Sequence, residues 1–212
     1  MDIYTEPHIR TSALITIDTQ NDFTLDHAPA QIAGTRDVVG NMVRLLKIFR
    51  KEGLPIIHVV RLYLADGSNA ERCRRQAIES GNPVAVPGSD GAELVSDLKP
   101  ELTLRLKTEQ LLAGELQQIG ENEFIIYKPR WGAFYRTRLE EFLLQKQCDT
   151  LIFSGCNFPN CPRTSLYEAS ERDFRTAIVT DALSQLYPKG LEEMQNIGVS
   201  LLTTAEIEHL LA

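Results

Sequence analysis

The sequence lacks the features that mark several whole classes of protein. No apolar run approaches the roughly 20 residues that a membrane-spanning helix needs, so no membrane partner is expected. The opening stretch MDIYTEPHIRTSA has no basic region followed by an apolar one, and no secretory signal is read there. Lys and Arg form no block and do not interleave with aromatics, and the formal net charge is −7. Nucleic acid and anionic membrane surfaces are therefore excluded as main partners. Cysteine is scarce: Cys73, Cys148, Cys156 and Cys161 are too few to staple 212 residues together. A leaderless chain with few thiols is expected in a reducing compartment, the cytoplasm by default. Histidines stand at 8, 27, 58 and 209, too scattered to suggest a metal cluster, and neither repeats nor low-complexity tracts occur.

What is there is an ordinary globular mixture, 43% hydrophobic and 24% charged, able to bury one large core. Short β-rich runs alternate with helical patterns. ALITID (13–18), PIIHVV (55–60), EFIIYK (123–128), TLIFSG (150–155), TAIVTDA (176–182) and VSLLTT (199–204) read as strands. The first is almost continuously apolar, as expected of a strand covered on both faces. Helices are expected from an Asp37 cap to about 51, over 134–145, 161–173 and 189–197, and after a Thr203–Glu206 capping box. The alternation predicts a single α/β domain over residues 1–212: a three-layer, doubly wound, mostly parallel sheet of about six strands. Residues 61–122 exceed a minimal crossover. Short helices are expected there near 69–80 and 90–97, in an excursion suited to a lid or an oligomer contact.

In such sheets ligands bind beyond the C-terminal ends of the strands. Three reactive side chains fall there: Asp18 after the first strand, Lys128 after the third, and the Cys156–Cys161 loop after the fourth. The C-x4-C spacing fits neither a zinc site without nearby His nor a C-x-x-C redox pair. A small buried thiol is the bland reading, and it suits Cys156. Pro162 favours a helix start, which places Cys161 at a helix N-terminus, where free N–H groups and the macrodipole favour a thiolate. A carboxylate, an ammonium and a thiol then converge on one sheet edge.

Four segments occur in the order and spacing of one known family: LITIDTQNDF (14–23), PGSDGAEL (87–94), YKPRWGAF (127–134) and SGCNFPNCPRTSLYEA (154–169). With them the chain resembles the isochorismatase-like cysteine hydrolase superfamily over nearly its whole length. The resemblance implies an Asp18–Lys128–Cys161 triad with Cys161 as nucleophile. It also implies a cis peptide between Cys156 and Asn157, and an oxyanion hole made by the backbone N–H groups of Asn157 and Cys161. It further implies a homo-oligomer and no organic cofactor. Where nicotinamide-cleaving members carry a D-x-H metal pair, this chain has Arg61-Leu62-Tyr63, so no metal site is expected. Phe158 and Pro162 depart from the family's usual Thr and aliphatic residues.

The expected activity is cysteine-dependent hydrolysis of a small amide or urea-like C–N bond through a thioester. The alternatives are isochorismatase-type vinyl-ether hydrolysis, a catalytically silent binding domain of the same fold, and a thiol-redox protein using both cysteines. Arg61, Arg130 and Arg163 lie near the strand ends of an otherwise acidic chain, and guanidinium matches a carboxylate bidentately. A carboxylate-bearing amide is therefore expected, held by Arg61 and Arg163 between the flat walls of Phe23, Tyr63, Trp131 and Phe158.

Overall fold

The structure, a computed structural model, describes residues 2–212. Seven strands form one sheet in the order β3-β4-β2-β1-β5-β6-β7. They are β1 Ser12–Ile17, β2 Ile56–Val60, β3 Gln117–Gln118, β4 Glu123–Tyr127, β5 Thr150–Gly155, β6 Arg175–Leu183 and β7 Ser200–Leu202. All neighbours pair in parallel except β3, which runs antiparallel to β4. This is the expected three-layer, doubly wound fold with one strand more than expected. β3 is two glutamines long and has no apolar alternation to announce it. The Gln117 side chain fixes it by accepting from Lys107 N and donating to Arg105 O.

Side chains alternate across the pleat, so β1 feeds two cores. Ala13, Ile15 and Ile17 pack on one face with Leu166 and Ala169 of α6 (Cys161–Ser170). Leu14 packs on the other with Met42, Leu45, Leu46 and Phe49 of α2 (Thr35–Lys51) and with Ile207 of α8 (Thr204–Leu211). α2 begins earlier than expected: Gly34, at φ 80°, holds the cap position, and Asp37 sits inside the first turn, where its charge suits the helix dipole. The Thr203–Glu206 capping box opens α8 as read. A helix expected from Phe134 starts only at Leu139, as α5 (Leu139–Gln145). Ala133 N and Phe134 N donate to Ser165 Oγ and Glu168 Oε2, and these α6 side chains pin the segment in an irregular path.

The long excursion has a small core of its own. α3 (Arg72–Glu79) contributes Ile78, α4 (Thr108–Leu112) contributes Leu111, and both pack with Val60, Leu62, Tyr63 and Val84. The helix expected at 90–97 is two separate 3₁₀ turns, Asp90–Ala92 and Ser96–Leu98. This third core lies over the C-terminal ends of β1, β2 and β4, so the excursion roofs the sheet edge. No helix among the described residues is long and apolar enough to cross a membrane.

Candidate active site

The strand order reverses between β1 and β5, since the chain builds outward from β1 through β2 and β4 and then returns to β1's other side. Asp18 and the Cys156–Cys161 loop emerge on the two sides of that switch point, where crevices form in open α/β sheets. Asp18 follows β1 with φ 52°, an uncommon left-handed backbone that turns the carboxylate off the strand. Gly155 ends β5 at φ 112°, and a Cβ there would stand 2.3 Å from Ile17 O. Only glycine allows that approach, and through it Cys156 N donates to Ile17 O at 2.9 Å. The Cys156–Asn157 peptide is cis.

Lys128 reaches across from the end of β4. Its Nζ stands 2.9 Å from Asp18 Oδ2 and 3.3 Å from Cys161 Sγ, and donates to Arg130 O. Asp18 is 6% exposed, Lys128 1% and Cys161 8%, so the three groups act on one another with little water between them. Burial alone would lower the Lys128 pKa, but the Asp18 carboxylate and the thiol beside it raise it, keeping the ammonium charged. The Cys161 thiol is pushed up to about 12, first by burial and then by the Asp18 charge, with Lys128 opposing. These effects favour a thiol at Cys161, where position at a helix start alone predicts a thiolate. Two effects oppose the helix terminus here: burial, and the charge of the Asp18 carboxylate. Asp18 Oδ1 is buried and has no hydrogen-bond partner.

Cys156 is fully buried and donates to Asp18 O at 3.1 Å, so it supports the turn that carries the carboxylate. Cys161 is the first residue of α6, whose first-turn N–H groups have no acceptor within the helix. Among the described residues the Asn157 N–H donates to no protein acceptor. Asn157 and Cys161 both line this crevice, and neither backbone N–H is among the paired ones of the described residues.

The other motif residues are braces. The Gln20 carboxamide donates to Arg61 O and Ala92 O at 2.7 Å each and accepts from Arg61 N, tying the ends of β1 and β2 to the roof. Asp22 accepts from Ala85 N, and a Cβ on Gly91 would fall 2.2 Å from its carboxylate. A Cβ on Gly132 would likewise meet Glu168 at 2.1 Å.

The roof and the sheet edge enclose a narrow cleft of about 10 Å³, room for about one water. Of the residues expected around a ligand, Phe23, Arg61, Tyr63 and Trp131 line it, as do Asp18, Lys128, Asn157 and Cys161. Phe158 does not. It is fully buried in the core against the Tyr187 ring, with centroids 5.6 Å apart, in space that Gly190 leaves open. Arg163 does not either. Two positions beyond Cys161 on α6, it points away from the thiol and engages Tyr187, Glu193 and Tyr167.

Arg61 faces the cleft, but its guanidinium is committed. Nε donates to Glu71 Oε1 at 3.1 Å, Nη1 to Leu62 O and Tyr127 Oη, and Nη2 to Asn69 O. The Tyr63 ring stacks 4.1 Å from its Cζ, and Tyr63 Oη donates to Glu71. A divalent cation does not fit where this buried guanidinium stands. Arg130 spends Nη1 on Asn69 O and Pro129 O. Sequence reasoning does not single out two further lining groups, Glu71 and Arg74 on the roof. No spacing signal places either there, since the excursion's path is set by its own small core.

A profile of the Isochorismatase domain matches residues 12–206. A protein of Arabidopsis thaliana named "Probable inactive nicotinamidase" is 32% identical over 210 residues, covering 96% of this chain and 97% of its own length. Ureidoacrylate amidohydrolase RutB of Methylobacterium radiotolerans is 25% identical, over 85% of this chain and 70% of its own. The crystal structure of an isochorismatase family protein from Desulfovibrio vulgaris superposes with a TM-score of 0.80 at 33% identity, covering 95% of this chain and 98% of that one. Fold, motif order and these relatives agree, and the chain belongs to the isochorismatase family.

Proposed function

We propose that the chain is a cysteine amidohydrolase that cleaves a small amide or urea-like C–N bond without a metal. One observation carries the reading: a buried Asp18–Lys128 ion pair touches the Cys161 thiol and leaves one carboxylate oxygen free. A thiol with a pKa near 12 is a poor nucleophile at neutral pH unless a base takes its proton during attack. Asp18 Oδ1, the unpartnered acceptor of the cluster, is the proposed base for that proton.

In the proposed sequence, Cys161 Sγ attacks the substrate carbonyl carbon as its proton passes to Asp18. The carbonyl electron pair moves onto oxygen, which the N–H groups of Asn157 and Cys161 receive. Asp18 returns the proton to the leaving nitrogen, the C–N bond breaks, the amine departs, and a thioester remains on Cys161. Water adds to the thioester with Asp18 as base, the acid is released, and the proton returns to sulfur. Lys128 remains an ammonium throughout and balances the negative charge as it moves from carboxylate to sulfur and oxygen.

The name of the Arabidopsis relative favours a second reading, a silent domain that keeps the fold and binds without turnover. An ammonia-release screen over small amides and ureas separates the two. The hydrolase reading expects turnover of at least one compound, lost in Cys161→Ala and retained in Cys156→Ala. Binding of compounds without any release of amine would establish the silent reading.

A further inference from the structure

The charged residues lining the cleft are three cations, Arg61, Arg74 and Lys128, and two carboxylates, Asp18 and Glu71. Lys128 pairs with Asp18 at 2.9 Å and Arg61 with Glu71 at 3.1 Å. Arg74 is left over: no carboxylate of the described residues lies within ion-pair distance of it. Its polar side-chain contact is with a neutral group, Tyr63 Oη, at 3.3 Å from Nη1. Its Cζ stands 5.1 Å from the centroid of the Trp131 ring, which itself lines the cleft. The cleft thus carries one surplus positive charge inside a chain of net charge −7. The thiol does not neutralise it, since burial and Asp18 keep Cys161 protonated at rest.

We propose that Arg74 is the specificity-determining residue of the cleft, and that its guanidinium receives a carboxylate on the substrate while the Trp131 face supports both groups. The inference deepens the hydrolase reading and rests on Cys161 being the group that reacts. Arg61 then has a different task. Its four hydrogen bonds, with the stacked ring of Tyr63, fix Glu71 and Asn69, which makes it a positioning residue for the roof loop and the helix α3 that present Arg74. With Cζ above the Trp131 ring and one nitrogen on Tyr63, most of the Arg74 N–H donors are left for a bidentate carboxylate. A substrate with its carboxylate there and its scissile carbonyl at Sγ must be small, and the narrow cleft, about 10 Å³, must widen to admit it.

Two alkylating reagents of nearly equal size test this without knowledge of the substrate. Iodoacetate carries a carboxylate and iodoacetamide a neutral amide. In both, the sulfur displaces iodide and the thiol proton goes to solvent. The rate ratio, iodoacetate over iodoacetamide, is measured at Cys161 by peptide mass mapping, which also separates adducts on the exposed Cys73. Thiol acidity cancels in the ratio, and free N-acetylcysteine gives the reference. Arg74 as anion receptor raises the Cys161 ratio about tenfold above the reference, the scale of one charge-assisted hydrogen-bond pair. Arg74→Gln returns it to the reference, and Arg74→Lys gives an intermediate value. As a check on the unaltered protein, acetate slows alkylation of Cys161 by iodoacetamide more than acetamide does. A wild-type ratio at or below the reference, an unchanged ratio in Arg74→Gln, or equal protection by acetate and acetamide overturns the proposal. Absence of Cys161 alkylation by either reagent also overturns it, because a cleft closed to a two-carbon acid selects none. None of these readouts needs turnover, so the anion preference and the hydrolase reading can fail separately.

Discussion

Two buried polar clusters share strands β1 and β4, and they are built on opposite principles. Toward the lower part of the sheet, Thr16 of β1, His58 of β2 and Glu123 of β4 form a chain. Thr16 Oγ1 meets His58 Nδ1 at 2.7 Å, His58 Nε2 meets Glu123 Oε1 at 2.8 Å, and Arg50 clasps both Glu123 oxygens at 2.7–2.8 Å. Every carboxylate oxygen there is satisfied. Burial would raise the Glu123 pKa, but hydrogen bonds from Arg50 and His58 hold it down at about 2. Beyond the upper ends of the same strands, Asp18 pairs with Lys128 through one oxygen and leaves the other orphaned in a dry site. An unsatisfied buried acceptor costs roughly 1–3 kcal/mol. The closed network ties strands together; the open one leaves an unpartnered acceptor in the cluster that holds the Cys161 thiol.

The contrast breaks most visibly in turnover. Cys161→Ala and Asp18→Asn should each lower amide hydrolysis by about a thousandfold or more. Glu123→Gln should leave it within about threefold, since the lower network touches nothing that reacts. Ammonia release under matched conditions measures all three. Loss of activity in Glu123→Gln, in protein shown to be folded, would remove the division of labour between the clusters.

Stability comes next in size. Lys128→Met leaves Asp18 as a buried charge with no counterion, and should destabilise the fold by about 3–5 kcal/mol. The double variant Lys128→Met with Asp18→Asn should recover part of that loss, because the charge that needed a partner is gone. Urea midpoints compared across the cycle report the difference, and a double variant weaker than Lys128→Met alone counts against the buried-charge account.

The pH dependence sharpens the comparison further. The folded Glu123 value, about 2, lies below its ordinary 4.5, so the unfolded chain binds more protons in that window. Its stabilising contribution is complete above about 4.5 and fades as pH falls toward 2. That contribution is on the order of 2–3 kcal/mol. Glu123→Gln should lower stability near neutral pH and flatten the acid limb of the stability profile. An unaltered acid limb would mean that Glu123 is not held ionised by Arg50 and His58.

The smallest effect has the opposite sign to the activity loss. Asp18 holds the Cys161 thiol up, so Asp18→Asn should lower its pKa even as it removes the proposed base. Alkylation of Cys161 by iodoacetamide at a fixed neutral pH should then quicken, by about tenfold for one unit of pKa. Slower alkylation in Asp18→Asn would show that the carboxylate already stabilises a thiolate at rest.

Much of this was legible in the chain. ALITID, PIIHVV, EFIIYK and TLIFSG mark strands because continuous apolar runs of that length suit a sheet covered on both faces, and the residues after such strands must gather at one edge. Asp18, Lys128 and Cys161 could be named from that rule and from motif spacing. So could the C-terminal capping box, since Thr203 and Glu206 satisfy each other locally. What the chain alone left open depends on contacts between residues far apart or in irregular segments. Arg61 and Arg74 are equally basic, and only the fold of the excursion gives Glu71 to the first and leaves the second unpaired. Phe158 lies three residues from Cys161, yet the space beside Gly190 draws it into the core. The strand of two glutamines exists only as an edge partner for β4. The protonation state of Cys161 belongs to the same group. A helix start favours the thiolate through short-range, locally encoded dipoles, while burial and the Asp18 charge are set by packing across the sheet, and in a site this dry they outweigh it.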